Sequence, residues 1–289
     1  MQDLARRVEN GGVLSCSGVT EAAQPFFAAL ARRLFPKRAI VVVTQGLKTQ
    51  ESFQQDIGTY LELLEAAADF PSRQPSAHPI ARGRQASPPL FYPAWEVLPH
   101  EQRLPHADVI SERLHTLILL SDTDTQTAPT IVTSVAALLQ RTFSVQAVRE
   151  RTRVLKRGDR SDLLDLVEWL EAQGYEPEAQ VTQKGEMALR GGILDVFPLT
   201  SPWPVRMEFF GDELESLRFF EPLTQISREE DVQSVTLPPA GELGILKRAN
   251  DPESGQAMEG MGGTLLDHLG GDAILLLCEP QELTERAAE

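Results

Sequence analysis

The sequence predicts an α/β fold, in which a parallel sheet covered by helices carries an inserted, mostly antiparallel α+β module. Short β-branched runs at residues 38–44 and 129–133 have the composition of buried parallel strands. Residues 205–210 instead alternate apolar and polar side chains, which is typical of a strand with one wet face. The buried-strand pattern returns at residues 273–279, after the alternating stretch. The alternating region is therefore predicted to be an insertion.

The first half of the chain alternates strand-type and helix-type segments. In chain order, the predicted elements are a buried strand at 11–16, a helix at 26–35, a central strand at 38–44, a helix at 49–68, a strand at 129–133 and a short helix at 135–141. Repeated strand–helix units with apolar strands favour a parallel sheet covered by helices. Residues 70–89, rich in Pro, Ser, Arg and Gly, predict a mobile loop.

The composition changes near residue 145, where the predicted module begins. Residues 149–160 are the most basic stretch and contain no aromatic side chain, so a solvated sheet edge is favoured over a nucleic-acid site. Ser161 is the predicted N-cap of a helix at 163–173, and Gly174 ends that helix. The predicted strands follow at 192–197, 205–210, 214–220 and 232–237. One helix on an antiparallel sheet would make a compact module.

The segment after the module is predicted to rejoin the parallel sheet. Residues 255–263 are rich in Gly and Met and predict a flexible connection. The buried-strand pattern returns at 264–269 and 273–279, and a helix closes the chain. The predicted domains are 1–145 for the first α/β segment, 146–240 for the inserted module and 241–289 for the return segment.

The strand at 205–210 suggests a site. Side chains alternate along a strand, so Val205, Met207 and Phe209 would share the core face, and Arg206, Glu208 and Phe210 the wet face. An aromatic ring flanked by charged groups is typical of an anchor for a protein partner. The alternative is that Phe210 packs under a neighbouring loop.

Two long runs carry a resemblance to known families. Residues 190–198, RGGILDVFP, and 205–218, VRMEFFGDELESLR, resemble the second domain of UvrB, of nucleotide excision repair, and of the transcription-repair coupling factor Mfd. In both families this module docks on the damage sensor UvrA. Residues 90–101 carry the W-E-x-L-P run of Mfd chains. The resemblance covers most of residues 12–289 and implies the N-terminal, UvrB-like region of an Mfd-type factor.

The loop after the first predicted strand resembles a phosphate-binding loop that has lost its function. Against the UvrB loop, the chain keeps Gly18 and Thr20 but has Gln24 for the phosphate-binding Lys and Pro25 for the Mg²⁺-binding Ser/Thr. Glu21 adds a negative charge where phosphate would bind. The resemblance implies a degenerate P-loop NTPase-like domain, as in Mfd. A strand–helix turn that never bound phosphate would be equally inactive.

Composition limits the remaining functions. The net charge of −15 disfavours binding to DNA by this chain alone. Cys16 and Cys278 lie far apart and belong to no zinc-type cluster, so no metal site is expected. Low cysteine usage favours a cytoplasmic location, and neither a signal peptide nor a membrane-spanning run is apparent. No Ser/His/Asp or Cys/His spacing indicates a catalytic site.

Residue matching to the families assigns the UvrA-contacting face. It would comprise Arg190, Arg206 and Phe210, with Glu186, Glu208 and Arg218 nearby. Arginine suits this role because its planar guanidinium donates two hydrogen bonds to a partner carboxylate. The alternative is that these arginines only pair with Glu208, Glu213 or Glu215 across the sheet, which contributes little when exposed.

The first functional hypothesis is a protein-recruitment region that binds UvrA and brings excision repair to a stalled RNA polymerase. The resemblance implies that polymerase binding, ATP and Mg²⁺ use and double-stranded DNA translocation belong to further domains of a complete factor. The chain would then be a non-enzymatic fragment without cofactor or membrane contact. The second hypothesis is a UvrB-like nucleotide-dependent repair enzyme, which needs an intact phosphate loop.

Overall fold

The computed structural model describes residues 2–68, 87–95, 97, 105–121, 128–241 and 262–288. These residues fall into two compact units. The first contains Met1–Ala94, Asp124–Leu139 and Leu269–Glu289, and the second contains Trp95–Thr123 and Gln140–His268. The domain boundaries placed after residues 145 and 240 stay predictions. The loop predicted at residues 70–89 falls largely outside the described residues, as does the flexible connection predicted at 255–263.

Helices and strands alternate through the first unit, and strands dominate the second. The helices are α1 (Gln2–Glu9), α2 (Gln24–Leu34), α3 (Leu47–Ala68), α4 (Ala107–Ser121), α5 (Val135–Leu139), α6 (Val145–Glu150), α7 (Leu163–Ala172) and α8 (Pro280–Ala288). The strands are β1 (Ile40–Thr44), β2 (Leu90–Tyr92), β3 (Thr130–Ser134), β4 (Thr142–Phe143), β5 (Arg153–Lys156), β6 (Glu176–Pro177), β7 (Glu186–Arg190), β8 (Ile193–Val196), β9 (Val205–Phe210), β10 (Glu213–Phe220), β11 (Ser227–Asp231), β12 (Ser234–Leu237), β13 (Gly262–Gly263) and β14 (Ile274–Leu277).

A four-stranded parallel sheet with the order β14-β1-β3-β2 forms the centre of the first unit. Every residue of β1 and β3 is buried, as expected for β-branched strands of a parallel sheet. Val42 lies opposite both Val132 and Leu276, so β1 is central and β14 rejoins the sheet from the end of the chain. The predicted α/β class is confirmed.

Helices α2 and α3 pack on this sheet through their apolar sides. Phe53, Ile57 and Leu61 lie on one side of α3 and contact the buried alanines of α2. Small alanines allow the two helices to approach closely. The helical spacing predicted for residues 49–68 and 26–35 is therefore confirmed, with α2 beginning two residues earlier.

The strand predicted at residues 11–16 is wrong. Gly11 and Gly12 have positive φ angles of 74° and 100°, and residues 13–16 have no regular structure. Val13 is fully exposed. A short apolar run can form a strand only if an edge pairs with it, and here β14 stays an edge strand in the described sheet, with Leu275 and Leu277 half-exposed. Helix α1, which precedes this run, was not predicted.

A six-stranded sheet with the order β11-β10-β9-β8-β7-β6 dominates the second unit. Its pairs are antiparallel, apart from the short parallel pair of β6 and β7. Helix α7 covers one face, where Leu166 and Leu170 join the core formed by Leu194, Met207 and Leu217. The predicted helix on an antiparallel sheet is confirmed. The predicted last strand corresponds to β12, which pairs with β5 in a separate two-stranded sheet.

Two local predictions need correction. The N-cap of α7 is Asp162, not Ser161, because the Asp162 carboxylate accepts hydrogen bonds from the amides of Leu164 and Asp165 at 2.8 and 3.1 Å. Residues 264–269 do not form a strand. Leu265–His268 is a 3-10 helix, and Asp267 stabilises its first turn by accepting hydrogen bonds from the Thr264 amide and hydroxyl. These bonds hold the pKa of Asp267 below its usual value.

Candidate protein-docking face

The strand register of the six-stranded sheet determines which side chains share a face. Leu194 lies opposite Met207, and both belong to the core under α7. Because side chains alternate along a strand, the residue pairs one position before and after this pair in the β8–β9 ladder point away from α7. The exposed part of this second face, termed the open face, comprises Arg190, Ile193, Glu208, Phe210, Ser216 and Arg218. Arg206, Glu208 and Phe210 share this side of the sheet, as predicted.

Phe210 is the most prominent side chain of the open face. It is 77% exposed at the end of β9, so it does not pack under a neighbouring loop. Ile193 lies opposite Glu208 and is 37% exposed. The Ser216 hydroxyl donates a hydrogen bond to the Glu208 carboxylate at 2.7 Å, which fixes that carboxylate. The open face thus presents an exposed ring beside a fixed carboxylate.

Arg206 has a different environment from Phe210. Its side chain is only 17% exposed, and it donates two hydrogen bonds of 2.8 Å to the carboxylate of Asp195, a residue that is 1% exposed. The guanidinium also lies 4.7 Å from the centre of the Phe220 ring. The hydrogen bond with Asp195 raises the pKa of Arg206. Arg206 therefore pairs with Asp195, rather than with one of the three glutamates considered from the sequence.

The other predicted contact residues lie on the open face or beside it. Arg190 donates a hydrogen bond to the Ala179 carbonyl at 3.0 Å, and its side chain is exposed. Glu186 accepts hydrogen bonds from the amides of Thr182 and Gln183 at 2.7 and 2.8 Å, so its carboxylate shapes the loop before β7. Arg218 is exposed on β10 opposite Arg206. Their assignment as UvrA contacts stays a prediction.

Two tight hairpins hold the open face in place. Gly191 and Gly211 each follow a strand end, with φ angles of 62° and 64° that favour glycine. Gly192 is required for a second reason, because a Cβ atom there would lie 2.8 Å from the Phe209 carbonyl oxygen. The hairpins thus fix Arg190 and Phe210 at the same end of the sheet.

The predicted phosphate loop lies in the first unit. Gly18 has a φ of 86°, and Thr20 precedes a 3-10 turn, Glu21–Ala23, that leads into α2. Gln24 and Pro25 begin that helix. The Gln24 amide donates a hydrogen bond of 2.6 Å to the carboxylate of Glu279. The carboxylate of Glu279 therefore lies beside Gln24, the residue that stands where the UvrB loop has its phosphate-binding Lys.

Sequence reasoning missed three exposed apolar residues, one on the open face and two in the loop after β10. Ile193 could have been found, because it alternates with the core residue Leu194. Leu223 and Ile226, which are 87% and 68% exposed, lie in the loop after β10, where no periodicity gives a signal. Within the part of the chain that the structure describes, no group of three or more His, Cys, Asp or Glu side chains could hold a metal.

Comparison with known proteins identifies the module that carries the open face. Residues 154–243 match the family model of the UvrB interaction domain. The matched residues run from β5 to β12 and include α7, so Phe210, Arg206 and Asp195 all lie within the matched region.

The wider chain is similar to curated transcription-repair-coupling factors. It is 38% identical over 155 residues to the one from Escherichia coli and 36% identical over 153 residues to the one from Haemophilus influenzae. These matches cover 54% and 53% of this chain and 13% of each relative. The Mycobacterium bovis factor is 34% identical over an alignment of 239 residues, and that match covers 68% of this chain and 19% of that relative.

The predicted resemblance to transcription-repair-coupling factors is confirmed. The chain nevertheless spans less than a fifth of the length of these relatives, at 13% to 19%. Within the described residues, no helix is both long enough and apolar enough to span a membrane.

Proposed function

We propose that this chain is a recruitment region that binds UvrA through the open face of its UvrB interaction domain, and so connects excision repair to transcription. One observation carries the proposal: Phe210 is 77% exposed at the end of the β9–β10 hairpin, inside the matched region. A large exposed ring beside fixed polar groups is what a protein interface uses as an anchor. The names of the relatives supply the link to transcription and repair.

The charges around Phe210 support a protein partner over nucleic acid. Arg190 and Arg218 are exposed on the open face, but Glu208 lies between them on neighbouring strands, and Glu213 lies opposite Phe210. The carboxylates among these charges repel a phosphate backbone. A face with charges of both signs is instead complementary to a protein surface that also carries both signs. Contacts with RNA polymerase and double-stranded DNA are proposed only for the whole coupling factor.

Calorimetric titration of purified UvrA into the chain tests the proposal. The wild-type chain is expected to bind saturably, and Phe210→Ala is expected to weaken binding at least tenfold, since truncating an anchor costs about 2 kcal/mol or more. Leu164→Ala is the matched control, because Leu164 is 64% exposed on α7, on the opposite side of the sheet. Full-strength binding by Phe210→Ala would contradict the proposed face.

We further propose that the degenerate phosphate loop binds no nucleotide. The amide of Gln24 is bonded to the Glu279 carboxylate, and Pro25 lacks the hydroxyl that would bind Mg²⁺. The expectation is no saturable heat of binding when Mg·ATP is titrated into the chain. Saturable micromolar binding would instead support a UvrB-like nucleotide-dependent enzyme.

A further inference from the structure

The loop between β10 and β11 exposes two large apolar side chains. Leu223 is 87% exposed and Ile226 is 68% exposed. Together with Phe210, at 77%, they are the most exposed large apolar side chains that the structure describes in the second unit. An isolated exposed leucine needs no explanation, but two large apolar side chains exposed in one short loop indicate an interaction surface.

This loop is braced and does not simply extend into solvent. Gln225 has a φ of 61°, a left-handed conformation that costs a non-glycine residue about 1 kcal/mol or more. Its side-chain amide donates to the carbonyls of Val181 and Pro222 at 2.9 and 2.7 Å. The Glu221 amide donates to the Ile226 carbonyl at 3.0 Å. The structure therefore uses a strained residue to hold Leu223 and Ile226 outward.

Arg206 fastens the loop to the sheet. Beyond its two bonds to Asp195, its guanidinium donates to the Gln225 carbonyl and to the Ser227 hydroxyl, both at 3.3 Å. The ring of Phe220, fully buried just before the loop, lies under the same guanidinium. Arg206 thus connects the buried carboxylate of Asp195 with both ends of the loop between β10 and β11.

We propose that Leu223 and Ile226 form a second anchor for the partner that docks on the open face, with Arg206 as the residue that positions them. The partner is UvrA, so this inference rests on the proposed function. Arg206 and Phe210 share one side of β9, and the loop is fastened to that side. The eight residues of β10, Glu213–Phe220, span about 23 Å, and a standard interface of about 800 Å² per partner is about 30 Å across. A single partner can therefore reach both anchors.

Titration of UvrA into Leu223→Ser/Ile226→Ser tests the second anchor. Binding about tenfold weaker than that of the wild type is expected, because each serine removes apolar area that the partner would bury. The control Leu164→Ser, with similar exposure on α7, should bind as the wild type does. Both variants should keep the wild-type melting temperature.

The outcomes separate this inference from the proposed function. If the double variant binds at full strength while Phe210→Ala is weak, the second anchor is wrong and the open face stands. If Phe210→Ala also binds at full strength, the proposed function itself is wrong. Sedimentation velocity tests whether a second copy of this chain binds Leu223 and Ile226 instead. If the wild-type chain is a dimer and the double variant is a monomer, the two residues form a dimer contact and the inference is overturned.

A double-mutant cycle tests the positioning role of Arg206. Arg206→Lys should weaken UvrA binding in the wild-type background but have little further effect in Leu223→Ser/Ile226→Ser, because both changes act through the same loop. Asp195→Asn should reproduce the loss, although Asp195 is 1% exposed and cannot touch a partner. Independent, additive losses would show that Arg206 contacts UvrA directly and would overturn the positioning role.

Discussion

The two main sheets of this chain use their faces differently. Every residue of β1 and β3 in the parallel sheet is buried, so these side chains contribute to stability and to nothing outside the chain. In the antiparallel sheet, β9 alternates buried core residues with residues that reach solvent. A strand can therefore contribute to the core and still present side chains to a partner only where one of its faces is uncovered.

The largest expected change in stability comes from a substitution on the buried face of β9, and the exposed face serves as the comparison. Met207 is fully buried under α7, so Met207→Ala should lower the free energy of unfolding by about 3 kcal/mol through the lost burial and the cavity left behind. Phe210→Ala, three residues along, should change it by less than about 0.5 kcal/mol. Urea denaturation followed by tryptophan fluorescence measures both. Equal losses for the two variants would mean that the faces are not divided as described.

The next effect concerns the hairpin that holds the open face. Gly192→Ala should destabilise the chain by about 2 kcal/mol, because its Cβ would lie 2.8 Å from a backbone carbonyl. Gly191→Ala has open space around it but a φ of 62°, so a cost of about 1 kcal/mol is expected. Thermal unfolding of the two variants ranks the costs. The reverse order would contradict the close approach of Gly192 to Phe209.

A smaller effect is expected on the covered side of the sheet. Asp162→Ala removes the carboxylate that caps α7 and should cost about 1 kcal/mol. Ser161→Ala is the matched control and should be neutral, since the Ser161 hydroxyl donates only one long bond of 3.4 Å to a neighbouring carbonyl. Thermal unfolding distinguishes the two caps. A larger loss for Ser161→Ala would restore the assignment made from the sequence.

The smallest effect on stability is expected from forming a mixed disulfide at Cys16, which is exposed in an irregular segment. Cys278, just after β14, should resist the reagent because burial raises the pKa of its thiol to about 12, and the thiolate is the reactive form. At pH 8 the thiol of Cys16 should therefore react quickly with Ellman's reagent, and the thiol of Cys278 at least about 100-fold more slowly. Two equal rates would mean that the edge of the parallel sheet is open.

Patterns local to the sequence predicted much of the fold. The alternation of residues 205–210 matches the bounds of β9, Val205–Phe210, because each side chain there reports its own face. The buried strand β1 was equally clear from its β-branched composition. The run at 11–16 failed, because a short apolar segment becomes a strand only when a neighbouring edge accepts it, and that depends on tertiary structure.

The candidate site shows the same limit. Alternation placed Phe210 and Arg206 on one side of β9, but it could not show that Arg206 faces Asp195 across the β8–β9 register. The pairing of Arg206 with Asp195 becomes visible only once β8 and β9 are aligned in the sheet. The loop with Leu223 and Ile226 has no periodicity, so the exposure of these two side chains could not be predicted. Its backbone depends on the left-handed conformation of Gln225.

Site-specific crosslinking tests the central claim most directly. Phe210 is replaced by the photoreactive benzoylphenylalanine in the 289-residue chain, which is then irradiated with purified UvrA. The same replacement at Leu164 on α7 serves as the control, since both side chains are exposed and lie on opposite sides of the sheet. The account predicts a covalent adduct with UvrA from position 210 and none from position 164. An adduct from position 164 alone would contradict it.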